Sequence, residues 1–132
     1  MQKVTIIVEQ ASDGNYWCRT NEDVAGVGLN SCGATVEEAK QDLMDCYQEA
    51  KEDLEEQGKS IPAVEFVYKY DLQSFFNYFS FLNVTEIAKR AGINPSLMRQ
   101  YSSGIKNAGE KTYERLAACM DEIKAELQVA SF

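Results

Sequence analysis

Along residues 3–9 the side chains alternate, with Val4, Ile6 and Val8 on one side and Thr5, Ile7 and Glu9 on the other. Successive side chains of an extended chain project to opposite faces, so this pattern predicts a half-buried strand. Asp13-Gly14 is a turn signal, and Tyr16-Trp17-Cys18-Arg19-Thr20 reads as a second strand of residues that pack well on a sheet. Residues 21–26 are polar and turn-like, and a third short strand is expected over 27–31. Short links between three strands predict an antiparallel meander.

From residue 35 the period changes. Val36, Ala39, Leu43, Cys46, Tyr47, Ala50 and Leu54 recur at helical spacing. Thr35 precedes them as an N-cap and Glu38 follows three positions on, the pattern of a capping box. Gly58 ends the helix and Pro62 marks the next boundary. Val64, Phe66, Tyr68 and Tyr70 then alternate with Glu65, Val67 and Lys69, which predicts a fourth strand. The order is β-β-β-α-β. One helix covers one face of a small sheet, so a second copy or a partner is expected to cover the other face or pair with an edge strand.

Beyond residue 70 every predicted element is a helix. Asp71 caps a first one reaching about residue 80, with Leu72, Phe75, Phe76 and Phe79 on its apolar side. Asn83 caps a second, with Glu86 three positions on and Val84, Ile87, Ala88 and Ala91 buried. Gly92 suits a sharp turn, and Ile93 plugs that turn into the core. Asn94 caps a third helix with Pro95 at its first position, where the missing N–H costs nothing. Leu97, Met98 and Tyr101 are its inward candidates, and Gly104 stops it. A last helix is expected over 110–129, with the stripe Tyr113, Leu116, Ala117, Met120, Ile123 and Leu127.

The expected fold class is therefore α+β: a β-β-β-α-β domain over 1–70, then an all-α helix-turn-helix domain over 71–132. Charge divides along the same line. The chain carries a net −8; residues 1–70 hold six Lys/Arg against fourteen Asp/Glu, and residues 71–132 hold seven against seven. Within 84–115 the count is six basic against three acidic. Such asymmetry points to two kinds of partner, a basic protein for the acidic half and phosphate for the basic stretch.

The close pair of helices carries the candidate chemistry. Ala88 is small where the two helices approach, and the second would lie in a DNA major groove with its N-terminal residues at base edges. Ser96, Arg99, Gln100 and Ser103 are left outward as base-reading candidates; Arg can take guanine O6 and N7, and Gln adenine N6 and N7. Lys89, Arg90, Lys106, Asn107 and Lys111 are the candidates for phosphate.

Other chemistry finds little footing. Histidine is absent, and Cys18, Cys32, Cys46 and Cys119 form no CxxC pair, so no catalytic residue, cofactor site or metal site is expected. The cysteines read as small buried apolar groups in a reducing cytosol. With no run of 18 apolar residues and no basic-then-apolar leader pattern, the expected setting is the cytoplasm and no membrane partner is expected.

The whole chain resembles HicB-type antitoxins. The resemblance rests on the strand–turn–strand start from Val4 to Thr20, on Gly26-Val27-Gly28, and on Cys32-Gly33-Ala34-Thr35-Val36-Glu37-Glu38-Ala39, similar to that family's G-x-T-x-x-E-A helix start. Ile93-Asn94-Pro95-Ser96-Leu97-Met98-Arg99-Gln100-Tyr101 is similar to the Cro/C1-type helix-turn-helix that some members carry. The chain departs from that domain's pattern at Val84, where a phosphate-contacting Gln is common, and at Leu97, where a small polar residue is usual. The resemblance implies a partial RNase H-like first domain without nuclease activity that masks a small basic mRNA-cleaving toxin of the HicA type. It also implies a second domain that binds operator DNA, in a homodimer or higher oligomer. Two other functions stand beside it. One is a protein-interaction and dimerisation module that does not bind DNA. The other is a residual RNase H-like metal nuclease using carboxylates such as Asp13 and Glu65.

Overall fold

The structure, a computed structural model, describes Met1–Phe132. Its elements are β1 (Gln2–Gln10), β2 (Tyr16–Thr20), β3 (Asn30–Gly33), α1 (Val36–Glu56), β4 (Val64–Tyr70), α2 (Leu72–Tyr78), α3 (Val84–Ala91), α4 (Pro95–Ser102) and α5 (Glu110–Gln128). A small mixed α+β region is thus followed by a helical one. Two compact units divide the chain, Met1–Tyr78 and Phe79–Phe132.

In the first unit the strands lie in the order β3-β2-β1-β4. β1 and β2 pair antiparallel, as do β2 and β3, so the meander forms; β4 returns parallel to β1, with Val4 beside Phe66 and Ile6 beside Tyr68. Val4, Ile6, Val8, Tyr16 and Cys18 are buried on one face, where Val36, Ala39 and Leu43 of α1 meet the last four. The opposite face carries Trp17 at 38% exposure and Val67 at 43%. There Arg19 and Glu9 bridge adjacent strands at 3.5 Å, an exposed pair that adds little stability.

The start of α1 is held by a cluster of close contacts. The Glu38 N–H donates to Thr35 Oγ1 at 3.1 Å, and Glu38 Oε2 accepts from the Ala34 N–H at 3.0 Å. The first bond satisfies a donor that a helix start leaves open, and the second ties the residue before the cap to the first turn. Gly33 must be glycine for space: a Cβ there would lie 2.7 Å from the Ala39 nitrogen and 2.7 Å from Glu38 Cβ. Ala39 is fully buried, and its carbonyl accepts from the buried Ser31 hydroxyl at 2.7 Å, which ties β3 to the helix.

The third strand differs from expectation. Residues 24–27 close a tight loop instead, in which Val24 and Val27 exchange both backbone bonds at 2.9 Å. Ala25 and Gly26 take positive φ of 51° and 80° there, and the strand begins only at Asn30.

The first unit also extends past residue 70. Asp71 caps α2 by accepting the Ser74 N–H at 2.8 Å, while its other oxygen accepts the Gln10 N–H at 3.0 Å. Asn77 Oδ1 accepts the Val36 N–H at 3.1 Å. These bonds place α2 with the sheet and α1, not at the head of the second unit. With the division after Tyr78, the first unit holds six basic against fifteen acidic residues and the second seven against six.

Among the cysteines, all free, Cys18 and Cys119 are buried as expected, but Cys46 is half-buried and Cys32 is exposed beside Trp17 in the sheet register. Cys32 follows Ser31, and neighbours in a strand point oppositely. No helix is long and apolar enough to cross a membrane.

Candidate nucleic-acid interface

The second unit is built around the junction of α3 and α4. Asn83 caps α3 by accepting the Glu86 N–H at 3.1 Å, and Asn94 caps α4 by accepting the Leu97 N–H at 3.1 Å, with Pro95 in the first turn. Between them Gly92 stands at φ 73°, a left-handed conformation that glycine adopts without steric cost. The chain leaves α3 through an Ile93 N–H to Ala88 carbonyl bond of 2.9 Å. Ala88 and Met98 are fully buried, and Ile87, Ile93, Leu116 and Cys119 are nearly so. Leu97 and Tyr101, expected to point inward with Met98, are only half-buried, and so is Val84.

With Met98 directed inward, Ser96 and Arg99 of α4 are exposed and Gln100 is half-buried. Ser96, Arg99, Gln100 and Ser103 line one shallow, open depression, together with Ile105. All four base-reading candidates therefore meet on one surface. Ile105, absent from the sequence-based set, is 75% exposed there. The Ile105 and Lys106 N–H groups both donate to the Gln100 carbonyl, at 3.0 and 3.2 Å, which folds the segment back along the end of α4.

Arg99 is held in place within this surface. Its guanidinium donates to Thr85 Oγ1 at 3.2 Å and to Ser96 Oγ at 3.1 Å. Both acceptors are exposed neutral hydroxyls, so these bonds orient the group without neutralising it. Thr85 was missed by the sequence reading, because its contact spans the turn.

The phosphate candidates separate into two sets. Lys106, Asn107 and Lys111 are exposed and outside any ion pair. Lys89 pairs with Glu86 at 3.2 Å, one turn back on α3. Arg90 is bound by Glu126 of α5, and its hydrogen bond to that carboxylate raises the guanidinium pKa further. Arg115, also missed, donates from α5 to the Gly92 carbonyl at 3.4 Å and so supports the turn.

The carboxylates of the alternative nuclease reading do not converge. Asp13 lies in the turn after β1, where it accepts the Asn15 N–H at 2.9 Å, and Glu65 of β4 stands beside Lys3 in the ladder, near the other end of β1. At 3.3 Å per residue the two are about 25 Å apart along the sheet. No group of three or more His, Cys, Asp or Glu side chains stands where it could hold a metal ion. In the first unit the carboxylates of Glu37, Asp42, Asp45, Glu49, Glu52, Asp53 and Glu56 are all exposed along α1.

No family model, no curated protein and no solved structure matches this chain.

Proposed function

We propose that the chain is a HicB-like transcriptional regulator whose second unit is a Cro/C1-type helix-turn-helix binding double-stranded operator DNA. In this reading α4 enters the major groove, with Ser96, Arg99, Gln100 and Ser103 at base edges. Lys106, Asn107 and Lys111 contact phosphates, and Lys89 and Arg90 do so by exchanging their carboxylate partners. The observation that carries the reading is the single open surface shared by the four base-reading side chains, with an arginine already oriented in it. The first unit, a partial RNase H-like domain in this reading, presents the acidic face of α1 to a small basic toxin.

Fluorescence anisotropy against the DNA upstream of the chain's own gene, beside a scrambled duplex and at two salt concentrations, tests the first half. Sequence-dependent binding that weakens with salt supports it. Equal affinity for both duplexes overturns it.

A second reading, a protein-interaction module that does not bind DNA, is favoured by the capture of Arg90 by Glu126 and by the exposure of Phe81, Ile105 and Leu127. The first occupies a cation that phosphate binding would use, and the second leaves apolar surface that a protein partner would cover.

A further inference from the structure

β4 is the outermost strand of its sheet, with β1 on one side and no strand on the other. In a parallel ladder, alternate residues turn their backbone groups toward the neighbour. The Gln2 N–H donates to the Ala63 carbonyl at 3.0 Å and the Asp71 N–H to the Val8 carbonyl at 3.1 Å, so the odd-numbered residues of β4 face β1. The backbone groups of Val64, Phe66 and Tyr68 face outward. The strand is seven residues long and contains no proline, one of the devices that close such an edge.

Its side chains form a self-complementary series. Turn a second Val64–Tyr70 antiparallel about a two-fold axis through Val67, and each residue meets a suitable partner. Val67 faces the second copy's Val67 on the open face of the sheet, where it is 43% exposed. Glu65 faces the second copy's Lys69, and Lys69 its Glu65. Phe66 and Tyr68 face each other on the helix-covered side. Phe66 and Tyr68 then form the hydrogen-bonded pair, which the outward direction of their backbone groups requires. Val67 and the charged residues form the closer non-hydrogen-bonded pairs.

Neighbouring registers that preserve this bonding are worse. Sliding by one repeat of the pleat sets Glu65 against Asp71 in one direction. In the other it sets Glu65 against Val67 and Lys69 against Ala63. Opposite charges placed symmetrically about one residue suit a two-fold contact between identical strands, whereas an unrelated strand would need to supply the reversed pattern.

We infer that β4 is a homodimerisation edge, at which two copies of this chain pair antiparallel about Val67, with Glu65 of each against Lys69 of the other, to join two four-stranded sheets into one. The inference goes beyond the DNA-binding reading and does not depend on it, since every group involved lies in the first unit.

Sedimentation equilibrium of the full chain tests it through a charge exchange. Glu65→Lys and Lys69→Glu each place like charges across the axis twice, so each raises the dimer dissociation constant about tenfold or more. The double variant carrying both restores opposite charges and returns the constant to within a few-fold of the parent. Both positions are exposed, and circular dichroism of each variant checks that it is folded. A parent that stays monomeric overturns the proposal. So does a dimer that both single variants leave unchanged, which would locate association elsewhere, for example in the second unit. A double variant no tighter than the single ones overturns the register.

Discussion

Arg99 donates to Thr85 across the α3–α4 turn at 3.2 Å, so the guanidinium is aimed before any ligand arrives. An arginine oriented in this way loses less side-chain freedom when it binds. Arg99→Ala is expected to weaken binding to the chain's own upstream DNA by about 1–3 kcal/mol and to leave binding to a scrambled duplex nearly unchanged. Arg99→Lys should fare almost as badly, because an ammonium cannot form the paired bonds of a planar fork. Anisotropy titrations of the two variants on both duplexes check this. Equal losses on the two duplexes would make Arg99 a phosphate contact instead.

Gly33 and Gly92 are required for different reasons, and their alanine variants should separate the two units. Gly33→Ala drives a methyl into the backbone of α1, at a cost of about 1–3 kcal/mol. Gly92→Ala meets no atom within 4 Å but keeps a positive φ, at a cost of about 1–2 kcal/mol. Trp17 is the sole tryptophan and belongs to the first unit, so its fluorescence in a urea titration should shift for Gly33→Ala and stay in place for Gly92→Ala.

Within α2, Ser74 and Asp71 should respond oppositely to alanine. The Ser74 hydroxyl is fully buried and has no hydrogen-bond partner, so Ser74→Ala should leave stability unchanged or raise it by up to about 1 kcal/mol. Asp71 accepts two backbone N–H groups from separate elements, and Asp71→Ala should cost about 1–2 kcal/mol. The same tryptophan-monitored urea titration measures both.

Burial pushes the Cys18 thiol from 9.0 up to about 11, while nearby Lys40 and Ser31 act the other way. The neutral thiol is the form the fold favours. Its contribution to stability is therefore complete below pH 9 and is lost as pH rises toward 11. Tyr16, Tyr68 and Tyr70, raised chiefly by burial, add to the same alkaline loss. Cys18→Ala should flatten part of that decline in a stability-against-pH series. At neutral pH an aromatic disulfide reagent should modify exposed Cys32 first and Cys18 only after unfolding. Fast labelling of Cys18 in the native protein would contradict its burial.

Much of this fold was legible in the sequence where polarity and position agree. β2, β4 and the capped starts of α1, α3 and α4 fall where alternation, Thr35, Asn83 and Asn94 place them. β3 was displaced because its inward residue is polar: Ser31 is buried through its bond to the Ala39 carbonyl, whereas Val27 spends its apolar side chain in a tight loop. The pattern of α2 showed an apolar face but not what it packs against, which is decided by the long-range bonds of Asp71 and Asn77. On the candidate site, the outward set of α4 followed from helical spacing around Met98. The partners of Arg99, Arg90 and Arg115 did not, since each contact joins separate helices.

The bonds from Asp71 to Gln10 and from Asn77 to Val36 determine where this chain can be cut. A fragment ending at residue 70 leaves two backbone donors of the sheet and α1 without their acceptors, while one ending at Tyr78 retains both. Tyr78–Phe79 is thus a better splice point for chimeras: a foreign DNA-reading or enzymatic cassette fused there would inherit a first half that keeps both of these acceptors.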